Sequence, residues 1–174
     1  DVYKRQVPAL IFNIPALIFA ENTAVKPISC ILILIPVFII MSYLLMYAVV
    51  NKFNRDDDKV SFLHFLILST IFVTGTGLSF MLVCPDLYSL PIFTALVFAV
   101  SGIYFWITAD KENKLSKVRL FAGSLCMALI SGCRPQMLLA IFFAVPVFGK
   151  TVFKERRMFS KKSQIESLCF LLPI

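Results

Sequence analysis

The chain has 174 residues, of which 59% are hydrophobic and 16% charged, and Phe alone supplies 18 of them. That balance excludes an ordinary soluble domain, in which roughly a quarter of residues carry charge and polar faces alternate with apolar ones. The net charge of +7 would suit nucleic acid, but the placement of the basic residues in short loops between apolar runs accounts for it and leaves no nucleic-acid partner to invoke.

In chain order, residues 1–6 read Asp1-Val-Tyr-Lys-Arg-Gln6. Back-translated as GAT GTG TAT AAG AGA CAG, they reproduce the transposon mosaic-end adapter of sequencing libraries. They resemble a translated reagent and are set aside from fold reasoning. A partial transmembrane domain is expected over 7–174. Val7–Ala20 reads as the tail of a truncated span, and the apolar run over 167–174 as the truncated start of another. The chain is therefore expected to be an internal fragment of a longer protein. No signal peptide is read, because the basic pair Lys4-Arg5 lies in the adapter-like segment.

Ile28–Val50 is a charge-free run long enough to cross a hydrocarbon core, which takes about 20 apolar residues. Val60–Cys84 is a second expected span, with His64 near its start and a Thr74-Gly75-Thr76-Gly77 patch that should soften or kink its outer part. Leu87–Thr108 is a third, with Tyr104 and Trp106 near its end as interfacial aromatics. Basic residues concentrate in cytoplasmic loops. They fall in three places: Lys52, Arg55 and Lys59; then Lys111, Lys114, Lys117 and Arg119; then the cluster over 150–162. Outside residues 1–6, only Lys26 and Arg134 are left for the other face.

That parity decides how the apolar stretch from Leu120 to Gly149 is read. One helix over it would be ~45 Å long, would carry Arg134-Pro135 at its middle, and would put two basic loops on opposite faces. A hairpin of two short helices, 120–133 and 137–149, turning at Arg134-Pro135, keeps both loops on one face. Ser124, Ala128, Ser131 and Gly132 form a small-residue stripe on the first limb. It reads either as a close-packing face or as the ordinary small-residue content of membrane helices.

On this topology Asp86, Tyr88, Arg134 and Gln136 collect at the outer face and form the candidate substrate-binding set. The Arg134 guanidinium offers a planar fork suited to phosphate or carboxylate. The alternative is that it pairs with Asp86 or caps the carbonyl end of 120–133. Asp86, just before the third span, is read first as a helix cap. His64 has no acidic residue at helical spacing and reads as an interfacial side chain. Asp56-Asp57-Asp58 reads as a solvated turn, since three consecutive carboxylates do not converge on a metal. The five cysteines show neither CxxC pairs nor a His at ligand spacing. They read as apolar fillers, with a disulfide among Cys30, Cys84 and Cys133 disfavoured. No catalytic residue, metal or cofactor is assigned.

The segment Gly123-Ser-Leu-Cys-Met-Ala-Leu-Ile-Ser-Gly-Cys-Arg-Pro-Gln-Met-Leu-Leu-Ala140, with Pro85-Asp-Leu-Tyr-Ser-Leu-Pro-Ile92 before it, resembles a group of uncharacterised bacterial polytopic proteins placed with the GT-C glycosyltransferases. These are relatives of protein mannosyltransferases and aminoarabinose transferases. The likeness runs from about Val7 to the end on short, mostly apolar motifs. It implies an all-α, polytopic transmembrane bundle, multi-pass in a bacterial plasma membrane. It further implies transfer of a sugar from a polyprenyl-phosphate donor at the outer face, with membrane lipid as the other partner. The acidic base of such enzymes sits in a first outer loop, expected upstream of Val7, so none is carried over. A transporter or flippase subunit, or a non-catalytic membrane protein, is the alternative.

Overall fold

The computed structural model describes residues 27–53, 61–83, 89–111, 114–133, 139 and 142. These form five helices and one minimal antiparallel ladder. The elements are α1 (Pro27–Phe53), α2 (Phe62–Gly75), α3 (Leu78–Val83), α4 (Ser89–Ala109), β1 (Asp110–Lys111), β2 (Lys114–Leu115) and α5 (Lys117–Cys133). The all-α expectation holds for the described residues but for that ladder. Two helices, over Ile28–Lys52 and Ser89–Ala109, are long and apolar enough to cross a membrane.

The helix α1 runs past the expected Val50 through Asn51-Lys52-Phe53. Nothing in those residues breaks a helix, and Lys52 in the last turn suits the negative end of the dipole. The expected single span over 60–84 is in fact two helices. A turn at Thr76-Gly77 separates α2 from α3, with Gly77 at φ +80°, a conformation that L side chains rarely adopt. The sequence pointed to a kink, whereas the backbone leaves the helix altogether. The expected loop over 109–119 is also shorter than anticipated. Asp110 pairs with Leu115 and Lys111 with Lys114, and α5 starts at Lys117.

At the centre lies α4, which carries two different faces. One presents Phe93, Val97, Val100 and Ile107 to α1, whose Ile31, Leu34, Phe38 and Leu45 complete a core of large side chains. The Phe38 and Phe93 rings meet at 5.5 Å and a 56° tilt, within the favourable range for aromatic pairs. Registered there, an antiparallel arrangement would carry Ile107 past the start of α1, so the two helices run in the same direction. The other face of α4 presents Ala95, Trp106 and Ala109 to Leu120, Met127, Ile130 and Cys133 of α5.

Small residues let α4 and α5 approach closely. A Cβ added at Gly102 would stand 3.2 Å from the Gly123 carbonyl oxygen. A Cβ at Gly123 would collide with the Trp106 ring and lie 3.1 Å from the Gly102 carbonyl oxygen. Two facing glycines therefore set the crossing, as small residues do where helices pack without a hydrophobic drive between them.

Candidate functional site at one end of the helix hairpin

The hairpin α4–β1–β2–α5 is fastened at its connection. The Ser116 amide donates to the Ala109 carbonyl at 3.0 Å, and the Leu120 amide to the Ser116 carbonyl at 3.0 Å. Arg119 Nη1 donates to the Thr108 carbonyl at 2.9 Å. A cation on the last carbonyls of α4 satisfies groups that the helix leaves without donors and complements its dipole. Higher up, Trp106 Nε1 donates to Ser124 Oγ over a long 3.4 Å.

This geometry revises two readings of the sequence. Trp106 is fully buried between α4 and α5 and is not an aromatic belt residue. Its bulk fills the gap opened by Gly123, and its indole N–H finds a hydroxyl inside the pair. The small-residue stripe also divides: Ser124 is buried in the interface, whereas Ser131 is exposed and bonds back to the Ala128 carbonyl at 2.6 Å. The packing face is Leu120, Gly123, Ser124, Met127 and Ile130, so bulky residues fill the i+3 and i+4 positions around Gly123-Ser124.

The four candidate binding residues, Asp86, Tyr88, Arg134 and Gln136, all lie outside the described residues, as do the 7–20, 84–88 and 150–174 segments and the Asp56-Asp57-Asp58 run. Of the 137–149 limb, only Leu139 and Phe142 are described, and both are exposed. What the described helices fix is where those segments attach. Because α4 and α5 are antiparallel, Ser89 and Cys133 lie at the same end of the pair. Because α1 runs with α4, Pro27 lies there too. The Lys52 end of α1 sits at the other end, together with the 110–115 ladder, Lys117 and Arg119.

Among the described residues no three His, Cys, Asp or Glu side chains gather where a metal could bind. Cys30, Cys126 and Cys133 are free thiols, so Cys30 and Cys133 share no disulfide. His64 is exposed in the first turn of α2.

Two polar features escaped the sequence reading. The Tyr43 hydroxyl and Thr70 Oγ1 lie 3.1 Å apart, joining α1 to α2. Thr70 already donates to the Leu66 carbonyl at 2.8 Å, so Tyr43 is the donor. The Ser42 hydroxyl is fully buried and has no hydrogen-bond partner among the described residues. A tyrosine in an apolar run, facing a helix with Ser69, Thr70 and Thr74, was the available signal for the first; nothing in the sequence singles out Ser42.

Comparison with protein families, with curated proteins and with solved structures gives no match. The described residues themselves define the class: a helical chain with two helices of membrane-crossing length and composition.

Proposed function

We propose that the chain is part of a multi-pass protein of a bacterial plasma membrane, a GT-C-like transferase that takes a sugar from a polyprenyl-phosphate donor at the outer face. One observation supports this reading above the others. The helix ends that lead into 84–88 and into Arg134 share one end of the α4–α5 pair, while Lys52, Lys117 and Arg119 lie at the other. With basic residues on the cytoplasmic side, Arg134 belongs to the outer side, where its guanidinium suits a lipid-linked phosphate and Asp86, Tyr88 and Gln136 supply polar contacts to the sugar. The resemblance around Gly123–Ala140 and Pro85–Ile92 supplies the reaction class.

The test uses the full chain in membrane vesicles and in nanodiscs. A cysteine at position 134, placed in a background with the native cysteines replaced, should react with an impermeant maleimide from the outer side. Polyprenyl phosphate should bind the wild type at least tenfold more tightly than Arg134→Gln. Labelling only from the cytoplasmic side, or equal binding by both proteins, overturns the reading. The break between α2 and α3 favours the second reading, a transporter or flippase subunit, because interrupted helices line substrate paths in transporters.

A further inference from the structure

Helix α2 is held along one side only. Tyr47 meets the Phe65 ring, and Tyr43 reaches from Phe65 up to Thr70, so α2 runs antiparallel to α1. Its buried residues are Ser69 and Val73, and of these Val73 alone joins the core of large side chains shared by α1 and α4. Phe62, Leu63, Ile67, Leu68 and Ile71 are exposed. Elements with few buried apolar contacts open at the low end of a protein's range of local stabilities.

The C-terminal end of α2 is suited to turning. Gly77 has φ +80°, which ends the helix, and a Cβ placed on Gly75 or Gly77 would meet nothing within 4 Å. Thr74 Oγ1 donates to the Thr70 carbonyl at 2.9 Å, Thr76 Oγ1 to the Val73 carbonyl at 2.6 Å, and the Gly77 amide to the Thr74 carbonyl at 3.4 Å. These bonds close within residues 70–77 and move with α2. Small residues at the end of an element commonly absorb the dihedral change of a hinge.

The attachment lies nearer the other end. Phe65 meets both tyrosine rings edge-on at 6.4 Å, toward the outer limit for aromatic pairs. The Tyr43 hydroxyl donates to Thr70 Oγ1 at 3.1 Å, and Thr70 spends its own hydrogen on the Leu66 carbonyl. Phe65 is twelve residues from Gly77, about 18 Å along the helix, so a rotation of about 20° at Gly77 carries Phe65 about 6 Å and breaks the ring contacts and the hydroxyl bond together.

We propose that α2 is a hinged flap on α1: it pivots at Thr76-Gly77, is latched by Tyr43 and Phe65, and swings outward while α1, α4 and α5 stay together. Opening uncovers the Tyr43 side of α1 and the Ser69 and Val73 side of α2, a lateral cleft that closes when the latch reforms. The α4–α5 pair does not open with it, because Gly102, Gly123 and Trp106 lock those helices in close contact. The proposal is independent of the transferase reading.

The experiment measures spin-label distances by pulsed electron resonance on the full chain in nanodiscs, with the native cysteines replaced. One sample carries labels at Leu44→Cys and Leu63→Cys, on α1 and α2. The other carries them at Ile33→Cys and Leu125→Cys, on α1 and α5; all four positions are exposed. The first pair should show a main distance and a second population of about 10%, up to about 6 Å longer, and the second pair a single distance. Tyr43→Phe, which removes only the latch hydroxyl, should raise the longer population to about 25%, a threefold change in its odds, and leave the α1–α5 distance unchanged. Ser131→Ala, on the exposed face of α5, should alter neither pair. A single α1–α2 distance in both the wild type and Tyr43→Phe overturns the flap, as does a longer population that Tyr43→Phe leaves unchanged or that appears in both pairs.

Discussion

The α4–α5 pair and the α1–α2 pair are both antiparallel helical neighbours, yet they are held by different means. In the first, facing glycines bring the backbones together, a buried tryptophan fills the space beside them, and a short ladder with Arg119 closes the connection. In the second, contact is made through long side chains, Tyr43 and Tyr47 reaching Phe65 and Thr70. Only Ser69 and Val73 of α2 are buried, while Phe62, Leu63 and Ile71 are each more than 60% exposed. The comparison separates close packing from tethering. A membrane helix can be fixed by surface complementarity with one neighbour, or held at a few polar and aromatic points with most of its surface left for lipid or for other helices.

The sharpest way to break this contrast is Trp106→Ala. Removing a fully buried indole from the α4–α5 interface should cost about 3–5 kcal/mol, read as unfolding in a denaturant titration in mixed micelles. A cost near zero would mean that the pair is held by its connection alone. Next come the glycines, where the same substitution should have opposite signs. Gly123→Ala forces a methyl into the Trp106 ring and should destabilise by about 1–3 kcal/mol. Gly75→Ala meets nothing within 4 Å and should stabilise by about 0.5–1 kcal/mol. Equal effects at both positions would erase the distinction between a packed pair and a tethered one. The smallest effect belongs to Tyr43→Phe, which removes only the hydroxyl bond to Thr70 and should cost about 0.6 kcal/mol. A loss above 2 kcal/mol would show α1 and α2 to be more firmly joined than their contacts imply.

Much of the helical plan was legible in the sequence, for a simple reason. Uninterrupted apolar length marks α1 and α4 because the hydrocarbon core sets a minimum run. The glycines and threonines at 74–77 flagged trouble in the second span, but composition does not say whether such a patch bends a helix or ends it. That depends on whether Gly77 takes positive φ, which propensity leaves undetermined. Trp106 was misread because its position near a helix end fits the interface as well as a helix pair. Only the opposing Gly123 decides the matter, and that pairing is seventeen residues away in sequence. The candidate site was legible only as a side of the molecule. Charge parity puts Arg134, Asp86, Tyr88 and Gln136 on one face as an expectation, and all four lie outside the described residues.

The ladder between α4 and α5 bears on how the protein enters its membrane. Taken alone, α5 is a poor candidate for insertion: it has 17 residues, begins with Lys117 and Arg119, and carries serines and glycines along its length. Clasped to Ala109 through Ser116 and to Thr108 through Arg119, it has no independent choice of direction. Under the proposed multi-pass reading, α5 returns alongside α4 whichever way α4 crosses, so the orientation of the segment from Ser89 to Cys133 is decided once, by α4, and α5 travels as its passenger.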